Sequence, residues 1–398
     1  MFELYKCGTI LIFIIEYFGI FVHLFEKDYY KEFNYPYHGD IHQSIQQLRQ
    51  HEKVDIPPIN FYNYSFISNC EKKCTDSYNK YIRPRLVYIV KSAIDHFDRR
   101  LAIRKSWGYE NRFSDVIIRT VFILGTQHDS HLQERISKES QRFRDIVQGD
   151  FYDTYFNNTI KTMIGFKWAV NYCPLSKFYM FVDDDMYVST KNVLRFVRNP
   201  THYPDYLLEP IYVLQRQNRI KRNVNLHLSN DSQHLNTKEL TDLDNDNKMN
   251  NLSNLIISRL KRQVFDFELP SEVRMFAGYV FISSPHRHKS SKWYITLDEY
   301  PYNMWPPYVT AGAFILSKEA LFDMYYASFY TKHFRFDDIY LGIVAMKADI
   351  EPFHCEEFYF YKKQYTVYNY RFVVASHGYE DTNELLRVWN EQKSAGNA

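Results

Sequence analysis

Apolar residues in this chain fall into short dense runs set between polar stretches, and the runs carry two different periods. Leu86, Val87, Tyr88, Ile89 and Val90 form an unbroken apolar run behind Pro84, ending at Lys91. Its length and β-branched content predict a strand. Residues 116–124 make a second such run, closed by Gly125, and Phe178, Tyr179, Met180, Phe181 and Val182 make a third. Between the runs the period changes. Residues 102–107 and 133–146 have helical composition, and over 159–172 the apolar Ile160, Met163, Ile164 and Trp168 recur at helical intervals. Strands alternating with helices predict parallel βαβ units, hence an α/β sheet with its site at the carboxyl ends of the strands. Strand-like sequence returns over 275–283, and a helix is predicted over 339–346.

Three segments stand outside this pattern. Residues 7–25 are strongly apolar and, at about 1.5 Å per residue, long enough to cross a bilayer. Glu16 at their centre costs about 2.5–3.5 kcal/mol, which the surrounding Ile, Leu, Phe and Val offset. Neither a basic start nor a small-residue cleavage site is evident, so residues 1–25 read as a short tail and uncleaved signal-anchor. Residues 26–84 are polar and aromatic without a steady period, and Pro57-Pro58 interrupts them; a stem is expected there. Residues 207–269 are rich in Asn, Asp, Ser and Lys, a composition that buries too little apolar area to offset ordering entropy. They are expected to form a mostly disordered insertion within one catalytic domain, 85–398.

Charge narrows the partners. The 49 basic and 47 acidic side chains leave a net charge of only +2, and no long basic stripe is present, which excludes nucleic acid as a partner. Cys70, Cys74, Cys173 and Cys355 suffice for two disulfides in any of three pairings. No second Cys or His pair accompanies Cys70 and Cys74 at zinc-finger spacing. Asn63, Asn157, Asn230 and Asn251 each begin an Asn-X-Ser/Thr glycosylation triplet. Together with the anchor, these features predict a single-pass type II protein of the Golgi membrane with its bulk in the lumen.

Asp183, Asp184 and Asp185 directly follow the third apolar run. Adjacent carboxylates repel, and a hard divalent cation such as Mn²⁺ or Mg²⁺ relieves that repulsion while bridging to phosphates. An Asp-X-Asp after a hydrophobic strand is how nucleotide-sugar transferases of the GT-A type hold the donor diphosphate. An acidic solvated turn is the competing reading of the triplet alone.

Arg99, Arg100, Arg104, Trp107 and Gly108 form the first of a series of motifs. The run 121–125, then Asp150, Asp153, Asn157 and Lys161, then the aspartates with Met186, Tyr187 and Val188, follow it. The series resembles the β1,3-glycosyltransferases of family 31. Trp293, Tyr300-Pro301, Trp305, Tyr308, Gly312 and the stretch 336–342 continue the match in order, so that it covers residues 85–390 apart from the insertion. Residues 112–115, 155–159, 331–345 and 375–377 are closer still to the Brainiac-type β1,3-N-acetylglucosaminyltransferases.

The resemblance implies a GT-A-like fold and a set of roles. Asp185 is the implied metal ligand, with His377 completing the site and His354 as the alternative. Asp183 and Asp184 face the nucleotide and sugar of the donor, and Arg100, Arg104 and Lys161 serve its uridine and diphosphate end. Asp338 is the implied catalytic base, and Asp337 stands where many relatives carry Glu. Trp305 and Tyr308 offer an aromatic wall to a sugar ring. The activity implied is inverting, metal-dependent β1,3 transfer of N-acetylglucosamine from UDP-GlcNAc to a terminal sugar of a glycolipid or glycoprotein glycan. β1,3-Galactosyl transfer from UDP-Gal shares the motif set. A non-catalytic glycan-binding relative is the reading from a different class, and the intact acidic and histidine positions argue against it.

Overall fold

Residues that are apolar without interruption must be covered on both faces, and here they become the inner strands of one sheet. The computed structural model describes residues 17–20, 22–34, 40–60, 62–208 and 269–398. Its strands are β1 (Phe66–Ser68), β2 (Leu86–Lys91), β3 (Ile118–Thr126), β4 (Ile146–Tyr152), β5 (Phe178–Asp183), β6 (Tyr187–Val188), β7 (Phe276–Phe281), β8 (Tyr308–Ser317), β9 (Pro352–His354), β10 (Phe358–Tyr359) and β11 (Ala375–Ser376). Eight of them form a sheet in the order β1-β4-β3-β2-β5-β8-β7-β9. The block β4-β3-β2-β5 is parallel, and β8 joins β5 antiparallel. A small second sheet runs β10-β11-β6.

The register of this sheet places the chemistry. Strand β2 is buried at all six positions, and its last residue, Lys91, pairs in register with Asp183 at the end of β5. Two ionisable side chains therefore leave neighbouring parallel strands together, at the carboxyl end where such sheets bind ligands.

Seven helices matter to the argument: α1 (His42–Arg49), α2 (Phe97–Lys105), α3 (Ser130–Phe143), α4 (Asn158–Tyr172), α5 (Lys318–Ala327), α6 (Asp337–Lys347) and α7 (Thr382–Ser394). Helix α4 lies close on the sheet because Gly165 leaves room; a Cβ there would sit 2.8 Å from the Phe181 ring and 2.9 Å from Ile89. Gly342 does the same for α6, whose backbone meets Tyr308 at the start of β8. The expected helix over 133–146 stops earlier. Asp129 caps its start by accepting from the His131 and Leu132 amides, and Arg144 ends it in a left-handed conformation at φ 54°. Ile146 and Val147 then belong to β4.

Residues 26–84 depart most from expectation. In their described part they do not form a spacer. Helix α1 packs against α5, with Arg49 ion-paired to Glu319 and Asp323. Strand β1 pairs antiparallel with β4 at the sheet's edge, and the Tyr62 and Tyr340 hydroxyls share a buried hydrogen bond. The lack of a steady period reflects short elements that each cover a different piece of the core, not solvation. Of the four cysteines that suffice for two disulfides, Cys74 and Cys173 form the one disulfide among the described residues. Cys70 turns its thiol to the Ile146 carbonyl and Cys355 is buried, and burial pushes both thiols up to about 12.

Two compact units divide the chain. The larger, Met1–Ser189 with Ser271–Ala398, holds both sheets. In the smaller, Thr190–Pro270, the helix Thr190–Phe196 leads through Pro200–His202 to a cis Tyr203-Pro204 bond, and the Tyr206 hydroxyl donates to the Arg195 carbonyl (2.9 Å). Residues 209–268, nearly all of the expected insertion, lie outside the described residues, as do 1–16 and 21 of the expected anchor. Among the described residues no helix is long and apolar enough to cross a membrane.

Ile45 on α1 is 4% exposed and packs in the main core. Ile45→Ala is expected to lower unfolding free energy by about 2–4 kcal/mol, read from the urea midpoint at constant m-value. A free stem would leave the midpoint unmoved.

Candidate active site

Lys91 is the hub. Its buried ammonium lies 2.8 Å from Asp337 Oδ2, 3.0 Å from Asp183 Oδ1 and 3.1 Å from the Ala311 carbonyl, so all three of its donors are used. Burial works against its charge, but Asp183 and Asp337 prevail and raise its pKa. The Thr162 hydroxyl of α4 donates to the same Asp337 oxygen (2.8 Å). Burial works against the Asp337 charge too, and Lys91 outweighs it, holding the carboxyl below its ordinary range.

Next along α6, Asp338 has the opposite balance. Burial, then the adjacent Asp337 charge, push its carboxyl up to about 7. One of its oxygens accepts the Ile339 amide (2.8 Å). Asp183 is likewise raised to about 7, by burial first, with Lys91 opposing and Asp185 and Asp337 adding to the rise. Asp183 and Asp338 both line a cavity of about 500 Å³. Its walls include Tyr155, Phe281, Trp293, Trp305 and Tyr308, with Asn158 and Arg335 as polar members. Trp305 is fixed by packing on Tyr300, the two rings tilted by 34° with centroids 4.0 Å apart, and Tyr308 by its hydroxyl contact with Ser283 at 3.0 Å. An acidic floor under aromatic walls suits a sugar ring, whose hydroxyls need acceptors and whose C–H faces need apolar contact.

The small sheet builds the second half. Ser376 of β11 pairs with Tyr187 of β6, which carries His377 to Asp185, with Nε2 3.3 Å from Oδ2. The Asp185 hydrogen bond, ahead of opposing burial, raises the imidazole pKa. The other oxygen of Asp185, Oδ1, is buried with no hydrogen-bond partner. An orphaned carboxylate oxygen beside a histidine, in a region that accumulates negative charge, fits a divalent cation. Asp185 and His377 would hold it. Among the described residues no group of three or more His, Cys, Asp or Glu is gathered to hold a metal by itself. His354 is turned elsewhere and accepts the Val280 amide at Nδ1 (3.1 Å).

The remaining expected donor residues face inward. Asp184 receives the Ser92 hydroxyl (2.6 Å), His96 Nδ1 (2.8 Å) and Arg99 (2.9 Å). Arg100 is fully buried on Glu139 (2.8 Å) and the Ala93 carbonyl (2.6 Å), and Arg104 spans Glu139 and Asp145. Lys161 joins Asp153 (2.7 Å) to the Ser92 carbonyl (2.8 Å). Asp184, Arg100 and Lys161 anchor the loop that leaves β2, and Arg104 ties α2 to Glu139 of α3 and to Asp145. Of the glycosylation triplets, Asn63 is exposed, whereas the Asn157 amide donates to the Tyr152 carbonyl (2.7 Å). Asn230 and Asn251 lie outside the described residues.

Sequence reasoning missed Lys91, Thr162, Asn158 and Trp293 as site residues. Asn158 and Trp293 stood within the motifs quoted above without a role attached, and Lys91 showed only as a cation closing an otherwise apolar strand.

The profile of the Galactosyltransferase family matches residues 98–241 and 232–356. The chain is similar to the beta-1,3-galactosyltransferase brn of Drosophila melanogaster, 38% identical over 98% of this chain and 95% of that protein. It is also similar to the human beta-1,3-galactosyltransferase 1, 28% identical over 85% of this chain and 81% of that protein.

Removing the hub is expected to strand two buried carboxylates. Lys91→Met should destabilise the fold by about 3–5 kcal/mol, and adding Asp337→Asn should restore part of that loss. Additive losses in the double variant, measured by urea unfolding, would show that the ion pair is not the coupling.

Proposed function

The chain belongs to the galactosyltransferase family and is a hexosyltransferase, and we propose that it transfers one sugar from a UDP-sugar to a hydroxyl of an acceptor glycan, forming a β1,3 bond with inversion. The observation that carries this reading is Asp338, a carboxylate held near neutrality in an aromatic-walled cavity that it shares with Asp183. A base works best when its pKa lies near the operating pH. Asp338 takes the proton of the attacking hydroxyl as the new bond to the anomeric carbon forms. The bond from that carbon to the diphosphate breaks, and UDP leaves with its electron pair. Lys91 keeps Asp337 ionised, so the charge beside Asp338 holds it ready to accept a proton. Asp185 and His377 would hold a divalent cation, Mn²⁺ or Mg²⁺, and its positive charge would favour the departure of a diphosphate. Trp305 and Tyr308 position a sugar ring.

We assign N-acetylglucosamine as the sugar transferred. Tyr155, Trp293 and Trp305 offer apolar surface for the acetamido methyl, and Asn158 in the same cavity offers a partner for its amide. Galactose is the second reading, supported by the names of the relatives. The acceptor is a terminal sugar of a glycolipid or glycoprotein glycan. We place the enzyme in the Golgi membrane with this unit in the lumen, which the Cys74–Cys173 disulfide and the exposed Asn63 triplet support.

Competition between UDP-GlcNAc and UDP-Gal on one acceptor, in Mn²⁺, tests the assignment. A preference for GlcNAc of at least about tenfold is expected, about 1.4 kcal/mol in transition-state binding. Preferential galactose incorporation overturns the donor, and UDP release with neither donor overturns the enzyme.

A further inference from the structure

We propose that Tyr370 and Tyr379 are positioning residues for the pair Asp185 and His377: their buried hydroxyls lock the turn that carries His377, so that a divalent cation would meet both side chains already in place. The inference rests on the cation proposed above.

The first observation is that His377 lies outside any helix or strand. Strand β11 ends at Ser376, and Gly378 follows at φ 91°, where a Cβ would sit 2.8 Å from the Cβ of Lys362. A turn of this kind has no ladder of its own to fix it, so its neighbours must set its place. Two main-chain bonds do part of this. The His377 amide donates to the Tyr359 carbonyl of β10 (3.0 Å), and the Tyr379 amide donates to the Asp185 carbonyl (2.8 Å). The second bond ties the two side chains that would hold the cation to each other through the backbone.

The second observation is a chain of hydroxyls behind that turn. Tyr370, Ser376 and Tyr379 are fully buried. The Tyr379 hydroxyl donates to that of Tyr370 (2.8 Å), and Tyr370 donates in turn to the Lys363 carbonyl (2.9 Å), with Ser376 Oγ 3.1 Å away. Ser376 Oγ accepts the Lys363 amide (3.2 Å) and donates to the Tyr361 carbonyl (3.4 Å). Tyr370 therefore binds the residues on both sides of His377 to the segment 361–363. Phenylalanine would fill the same space, and a satisfied buried hydrogen bond adds only about 1 kcal/mol net to stability. What a fully satisfied buried network supplies is one fixed geometry. Groups behind a metal-binding histidine tune affinity in this way, by fixing its orientation.

Tyr187 of β6 supplies the contrast. It stands two residues beyond Asp185 and packs its ring against Tyr370 and Tyr379, with centroids 5.2 Å and 5.7 Å apart. Its buried hydroxyl has no hydrogen-bond partner. Removing one hydroxyl at each of the three tyrosines thus separates hydroxyl bonding from ring packing.

The test titrates Mn²⁺ into the full chain with UDP held constant. Binding is followed by water-proton relaxation under conditions where circular dichroism shows each variant folded. The Kd for Mn²⁺ is expected to rise at least about tenfold in Tyr370→Phe and about fivefold in Tyr379→Phe, and to stay within about twofold of wild type in Tyr187→Phe. Tyr370→Phe leaves the Tyr379 hydroxyl buried without its acceptor, whereas Tyr379→Phe strands no donor, so the second variant decides if the first does not fold. A Tyr379→Phe protein with wild-type Mn²⁺ affinity overturns the proposal. Equal weakening in all three variants also overturns it and assigns the effect to ring packing. A wild type that binds no Mn²⁺ overturns the cation itself, and this inference with it.

Discussion

A single buried ammonium sets the terms for the rest of this site. Lys91 ends a strand that is apolar at every other position, and nothing in that strand's packing requires a cation. Burying it alone would be prohibitive, so it is tolerated only because Asp183 and Asp337 meet it from two other elements. The consequence is geometric. The end of β5, the end of β2 and the first turn of α6 are drawn to one point, and the two acidic motifs, far apart in sequence, become one site. The consequence is also electrical. One ammonium cannot neutralise four neighbouring carboxylates, so Asp337 stays ionised while Asp183 and Asp338 rise towards neutrality. The surplus of negative charge that remains is what a cation and a proton would relieve.

The arrangement separates scaffolding from chemistry within a run of identical residues. Asp183, Asp184 and Asp185 differ only in direction. Asp184 is consumed by Ser92, His96 and Arg99, and it ties the loop after β2 to the turn after β5. Asp185 faces His377 and keeps one oxygen unpartnered, and Asp183 faces the cavity. Arg100, Arg104 and Lys161 extend the scaffolding outward through Glu139, Asp145 and Asp153.

Much of this was legible before the fold was seen. The apolar runs at 86–90 and 178–182 gave the central strands nearly to the residue, because strands covered on both faces leave no ambiguity of period. The aspartate triplet, Asp338 and His377 were readable as chemistry from their place in a family pattern. Direction was not readable. Which of three adjacent aspartates turns inward depends on the register of β2 against β5, a long-range pairing with no local signal. The 26–84 segment was misread for a related reason. Its elements are too short to show a period, and its strand β1 owes its existence to β4, which lies far along the chain. Lys91 looked like an ordinary strand end until its two partners were known.

The central claim is that Asp338 removes the proton from the acceptor, and replacing it with the isosteric amide tests that claim most directly. In Asp338→Asn, kcat is expected to fall by about 10²–10⁴-fold, while UDP affinity in Mn²⁺, by titration calorimetry, stays within about twofold of wild type. The wild-type rate should climb as pH rises through about 7, the range where Asp338 loses its proton, and the variant should lose that dependence. A variant that keeps more than about a tenth of wild-type kcat with the same pH profile would contradict the account.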